Sequence, residues 1–157
     1  MDFKEIEQLI GERLVQSEFV RDRFIVLIQE IEGRDIAVRQ PPVSIDVPIA
    51  WPNKDYDGTV PYIEFRHVPV ERVDPVISGG YAYQRGIVLL TIVVPRDVFS
   101  GDAWDIAQTI SDVFPKALRL RGSTGNVVIS APANPGTGFV DGTYWRQPIS
   151  ISYITES

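Results

Sequence analysis

The chain has 157 residues, 44 % hydrophobic and 23 % charged, with 15 Lys and Arg against 21 Asp and Glu for a net charge of −6. The composition is that of a globular chain, and the length suits one domain able to bury roughly 70 % of its unfolded surface without covalent staples. With no Cys and a single His, disulfide frameworks, thiol catalysis and Cys- or multi-His zinc sites are excluded.

The acidic balance argues against nucleic acid as a partner, since phosphate binding relies on cationic surface. The first turn of the chain carries Asp2, Glu5 and Glu7 rather than the basic, apolar pattern of a signal peptide. No apolar run approaches the ~20 residues of a membrane span. A soluble, unexported single domain over 1–157 is the expectation, with no membrane or nucleic-acid partner.

Phe3, Ile6, Leu9, Ile10 and Leu14 recur at three- and four-residue spacing, which predicts a helix over 2–16. From Val20 to Ile31 two readings compete. Val20, Phe24, Leu27, Ile28 and Ile31 trace a helical stripe, while Phe24 to Ile28 is equally a buried strand; a second helix ending near Gly33 is preferred. Val43, Ile45, Val47 and Ile49 then alternate with polar residues and Pro48, the pattern of an edge strand. Residues 51–60 read as a loop, Tyr62 to about Val70 as a strand, and Glu71 to Tyr81 as a flexible connection.

Tyr83 to Val94 gives the strongest strand signal. From Ile87 to Val94 only Thr91 is polar, so both faces are apolar and the strand is expected at the centre of a sheet. After Ser100 or Asp102 as a cap, Ala103, Ile106, Ala107, Ile110, Val113 and Phe114 form one helical face, ended by Pro115. Strands at 126–131 and 145–154 close the chain around the Gly/Pro loop Pro132 to Gly142. The fold class expected is α+β, with helices packed on one face of a mostly antiparallel sheet in the order helix, second helix, three strands, helix, two strands.

Chemistry-bearing patterns are sparse. His67 alternates with Ile63 and Phe65 and reads as a structural, partly buried histidine. Asn53-Lys54-Asp55-Tyr56-Asp57-Gly58 followed by Glu64 matches a calcium-loop spacing, but Pro48, Pro52 and Pro61 deny it the flanking helices of an EF-hand. A solvated turn is the simpler account. Gly136-Thr137-Gly138 with Gly142, and the Gly122 to Gly125 segment, lack nucleotide-binding spacing. The acid pairs Asp102/Asp105 and Asp55/Asp57 fit helix-start and turn roles. No catalytic residue, metal ligand or cofactor site emerges.

A strand apolar on both faces needs a cover on each. Another subunit could supply the second, or a helix or loop of the same chain could fold over it. Trp104, beside its helix stripe, and Trp145 are further candidate interface anchors.

Taken in order, Ile49-Ala50-Trp51-Pro52-Asn53, Val60-Pro61-Tyr62-Ile63, Ser78-Gly79-Gly80 ahead of Gln84-Arg85-Gly86, Val113-Phe114-Pro115 and Gly142-Thr143-Tyr144-Trp145 resemble the tail terminator, or tail-completion, proteins of long-tailed bacteriophages, of the lambda-like type and including prophage members. The likeness runs from about Ile49 to Thr155. Residues 19–43 are longer than the family pattern, as an atypical insertion would be.

The resemblance implies a structural protein and not an enzyme. Such proteins form a six-membered ring on a finished tail tube, stop its growth and offer the surface to which the head attaches. The implied partners are further copies of the chain, the major tail tube protein and a head-completion or connector protein. The implied location is the virion tail, with assembly in the host cytoplasm. Arg85, Ile87, Leu89 and Thr91 are then expected near subunit contacts, with Trp104 and Trp145 as candidate anchors. The loops Glu71 to Gly80 and Pro132 to Gly142 would face the tube or head. The alternatives are a head-to-tail connector of similar fold and a calcium- or small-ligand-binding domain using 53–64.

Overall fold

A computed structural model describes residues 2–21, 26–39, 43–52, 54–73, 83–96 and 101–156. In chain order the elements are α1 (Phe3–Val15), β1 (Phe19–Arg21), β2 (Val26–Ile31), β3 (Arg34–Arg39), β4 (Val43–Ile45), β5 (Ile49–Ala50), β6 (Tyr62–Val73) and β7 (Tyr83–Pro95). There follow α2 (Gly101–Val113), β8 (Arg119–Arg121), β9 (Asn126–Ile129), β10 (Asn134–Pro135), β11 (Phe139–Asp141) and β12 (Tyr144–Glu156).

The main sheet runs β5-β6-β7-β12-β9-β8, antiparallel except where β5 meets β6. Its centre is a slab of three long strands, in register except for a shift in β6 between Pro69 and Glu71. Ile63, Ile92 and Gln147 form one row, Phe65, Leu90 and Ile149 the next, and His67, Val88 and Ile151 a third. These rows point inward and are joined in one core by Ile6, Ile10 and Leu14 of α1 and by Ala103, Ile106, Ala107, Ile110 and Phe114 around α2. Burying an aliphatic side chain of this size stabilises by about 1.5–3 kcal/mol, so the rows dominate the fold's energetics.

The far edge of β12 is covered in sequence by β11, β10 and β9, whose register partners run from Tyr144 to Glu156. Local signals set the helix limits. The Asp2 carboxylate accepts from the Glu5 N–H at 2.8 Å and caps α1, while Pro115 cannot continue α2.

The expected α+β class is corrected. The described residues are mostly β, with twelve strands against two helices, and the sheet curls into a half-barrel. The preferred second helix over 20–33 is absent from the described residues there. Phe19–Arg21 pairs with Val43–Ile45, and β2 pairs with β3 through a tight turn. Glu32 at φ 54° and Gly33 at φ 76° supply the two left-handed residues that a two-residue hairpin turn requires. With that turn in place the β-branched run around it forms ladders rather than a helix. Residues 22–25, including Phe24, lie outside the described set.

The strand expected from Val43 to Ile49 splits at Asp46-Val47-Pro48 into β4 and β5, and β6 extends to Val73, beyond the expected end at Val70. Residues 74–81 of the expected 71–81 connection lie outside the described set. β8 had no expected counterpart, and the 132–142 loop contains β10 and β11. The position of β7 as an interior strand agrees with its two-sided apolar pattern.

Candidate interaction surface

Strand periodicity sorts the candidate residues. Along β7, Gln84, Gly86, Val88, Leu90 and Ile92 are buried on the core side, while Arg85 is exposed and Ile87, Leu89 and Thr91 are half-buried on the opposite side. Arg85, Ile87, Leu89 and Thr91 therefore lie together on the outer face of the slab. Register places Val68 and Ser152 beside Ile87, Arg66 and Ser150 beside Leu89, and Glu64 and Pro148 beside Thr91. The polar neighbours explain how a two-sided apolar strand is tolerated: small and charged side chains flank it without closing over it.

At one end of this face Arg85 Nε donates to Glu71 Oε2 at 2.6 Å, with both side chains about half exposed. Beside them a cleft of about 390 Å³ is lined by Val70, Ile87, Ala131 and Ile154. At the other end Arg146, only 19 % exposed, donates to Glu64 Oε1 at 2.8 Å and to Asp141 Oδ2 at 2.7 Å. The hydrogen bond to Glu64, then that to Asp141, raises the guanidinium pKa against the opposing effect of burial. Tyr62, beside this pair, is also raised, chiefly by burial and then by the Glu64 charge.

Trp104 and Trp145 do not join this surface. Trp104 is 52 % exposed on α2. Trp145 is half-buried against the core, and its ring lies so close to Gly138 that a Cβ there would overlap it. Gln147 Nε2 donates to the Gly136 carbonyl at 2.5 Å, so part of the loop expected to be flexible is fastened to β12.

His67 is structural, as its pattern indicated. Its side chain is 2 % exposed, with Nδ1 3.1 Å from Glu7 Oε1 of α1 and Nε2 2.5 Å from the Tyr153 hydroxyl of β12. Burial, then the Glu7 charge, pushes the Tyr153 phenol up to about 12. The calcium-loop residues are otherwise engaged: Asp57 Oδ1 accepts from the Thr59 N–H at 2.8 Å and Glu64 holds Arg146. Asn53 lies outside the described residues, among which no three metal-binding side chains converge.

Two features escaped the sequence reading. The turn between β8 and β9 grips Glu5 of α1. Ser123 N–H and Oγ donate to Glu5 Oε1 at 2.5 and 2.9 Å, Thr124 N–H at 3.2 Å, and Thr124 Oγ1 donates to Oε2. These donors, the Thr124 and Ser123 hydroxyls first, hold the carboxyl at about 2. Ser-Thr between two glycines was the available signal. The second is a groove of about 450 Å³ between α1 and Trp51, Pro52 and Phe65. Its floor forms where Trp51 lies against Gly11, a long-range contact with no local signature.

The surface combines half-buried apolar side chains with ion-paired rims. The sequence matches the family described as phage tail terminator protein over residues 36–153. The chain belongs to that family. A phage tail terminator is a structural component of the virion tail, in contact with tail and head parts. The structure is also similar to a solved protein at 21 % identity, with a TM-score of 0.62 over 70 % of this chain and 79 % of that one, which supports the fold. No protein with a curated description matches the sequence. The family match leaves α1, β1 and β2 outside it and begins within β3.

Proposed function

We propose that this tail terminator caps the finished tail tube as a ring of six copies, ends tube polymerisation and presents the head-joining surface. The observation that carries this reading is the outer slab face. Ile87, Leu89 and Thr91 are half-buried, and Val68 and Val70 beside them are exposed. A steric mechanism follows. Copies seat on the last tube ring, contact one another through this face and its rims, and replace the surface on which the next tube subunit would add. A head-to-tail contact between unlike patches closes into a ring when its rotation is fixed. Arg85, Ile87, Leu89 and Thr91 act at the contacts between copies, and the 132–142 loop faces the tube or head.

Negative-stain images of tails made with and without the protein test this. Overlong tubes lacking heads are expected in its absence; tubes of normal length joined to heads would overturn the reading. Within the assembled ring, Leu89→Arg is expected to reduce incorporation into tails at least tenfold with the monomer still folded. Unchanged incorporation would remove the outer face from the contact.

A further inference from the structure

Helix α2 lies over β7 and β1 and buries Ala103, Ile106, Ala107 and Ile110 in the core. Its opposite side carries Trp104, Asp105, Gln108 and Asp112, with Trp104 more than half exposed and Gln108 and Asp112 exposed beyond it. The charged residues of this helix are three aspartates, without a Lys or Arg. An indole standing out beside an anionic stripe has the make-up of an interface anchor, and its complement is an apolar hollow with a cation at the rim.

The outer slab face holds such a hollow. Ser130, Ala131 and Ser152 have short side chains, so a cleft of about 390 Å³ opens between Val70, Ile87 and Ile154, with Arg85 at its edge. An indole buried there has apolar walls and a guanidinium within reach of its ring face. Glu71 balances Arg85, and Glu156 balances Arg119 farther along the same row. Arg66 supplies the excess cation. It is exposed, its register partners across the slab are Leu89 and then Ser150, and among the described residues no acid holds it.

The spacing agrees. Trp104 and Asp112 are eight residues apart, about 12 Å along the helix axis, and the Arg85 row lies four residues from the Leu89 row, about 13 Å along the strand. A helix laid along β7 with its indole in the hollow therefore brings Asp112 to Arg66. The rival apolar groove, between α1 and Trp51, carries Glu7 and Glu12 against Lys4 on its rim and repels an acidic helix.

We propose that the exposed side of α2 in one copy packs on the outer slab face of a neighbouring copy, Trp104 entering the hollow beside Arg85 and Asp112 meeting Arg66. This rests on the ring-forming reading above and names the contact between its copies. The helix stripe and the outer face lie on opposite sides of the slab, so each copy gives one anchor and receives one, the head-to-tail arrangement that a ring requires.

Because the chain is free of Cys, engineered cysteines report the contact directly. Tails assembled from an equal mixture of full-length Gln108→Cys and Ser150→Cys chains, then treated with a short bis-maleimide, are expected to yield a linked dimer. A mixture of Gln108→Cys and Gln8→Cys, which tests the groove on α1, is expected to yield none. A dimer with the α1 variant, or no dimer in either mixture when both chains are present in the tails, overturns the proposal. In a second arm, Trp104→Ala lowers incorporation into tails about tenfold with the chain still folded, and Trp104→Phe keeps most of it; unchanged incorporation of Trp104→Ala overturns the anchor. Asp112→Arg likewise lowers incorporation about tenfold, and Arg66→Asp in the same chain restores it. Failure of the folded double variant to recover overturns the charge pairing. Normal tails made without any of the protein would instead sink the terminator reading, a separate outcome.

Discussion

The three-strand slab of β6, β7 and β12 and the ribbon from β1 to β4 are both antiparallel, yet they are stabilised in different ways. In the slab each inner row crosses three strands and meets helical side chains, so every residue is held from several directions. In the ribbon each residue of β2 has one ladder partner in β3 and, among the described residues, no third strand. Backbone pairing alone does not make a sheet stable; a covered face does. The slab therefore carries the packing on which the fold depends, and the ribbon adds ladders beside it.

Truncation is the strongest way to break that contrast. Leu90→Ala or Ile149→Ala, both fully buried, is expected to cost about 2–5 kcal/mol in urea unfolding, whereas Leu27→Ala in the unassembled chain should cost less than about 1 kcal/mol. Equal losses would mean the ribbon is as firmly packed as the slab.

Within the slab, Gly86 is required by a close approach. A Cβ there would stand 2.6 Å from the Tyr153 hydroxyl and 2.9 Å from the Val68 carbonyl. Gly86→Ala is expected to destabilise by about 1–3 kcal/mol. Tyr153→Phe, which takes a hydrogen-bond partner from buried His67, should cost about 1 kcal/mol by the same measurement; no loss would show the His67 bridge to be incidental.

The exposed clip on α1 gives a smaller, pH-dependent effect. Glu5 is lowered from 4.5 to about 2 in the folded chain, so its contribution is complete above its unfolded value and disappears as pH falls toward about 2. Stability measured from pH 6 to 2 should therefore fall more in the native chain than in Glu5→Gln; parallel curves would remove Glu5 as a clip. The smallest effect is expected from the ribbon itself. Replacing 26–39 by a short Gly-Ser link should alter the stability of the unassembled chain by no more than about 0.5 kcal/mol.

The slab was legible in the sequence because its signals are local. The alternation of Gln84, Gly86 and Val88 against Arg85, Ile87 and Leu89 reports two faces of one strand, and the Ala103 to Phe114 stripe reports one face of a helix. The ribbon was misread because Val20 to Ile31 satisfies both periods, and the deciding feature, a turn at Glu32 and Gly33, lies just past the pattern. β8, β10 and β11 are two or three residues long, too short to show a period; β10 and β11 exist because β12 offers an edge. Of the interaction surface, the β7 contribution followed from alternation. Val68, Val70 and Ile154 could not be added without knowing which strands neighbour β7, and the seat of Trp145 against Gly138 was not legible because that contact bridges a loop.

The register of β12 carries a consequence for biosynthesis. This strand touches β7 on one side and β9, β10 and β11 on the other. During translation, everything ahead of Tyr144 emerges from the ribosome with β7 bare along one edge, β9 paired only with β8, and β10 and β11 without the strand they pair with. The sheet closes like a zip whose slider is the last of the described strands to emerge, so β7 gains its second neighbour only when β12 has left the ribosome.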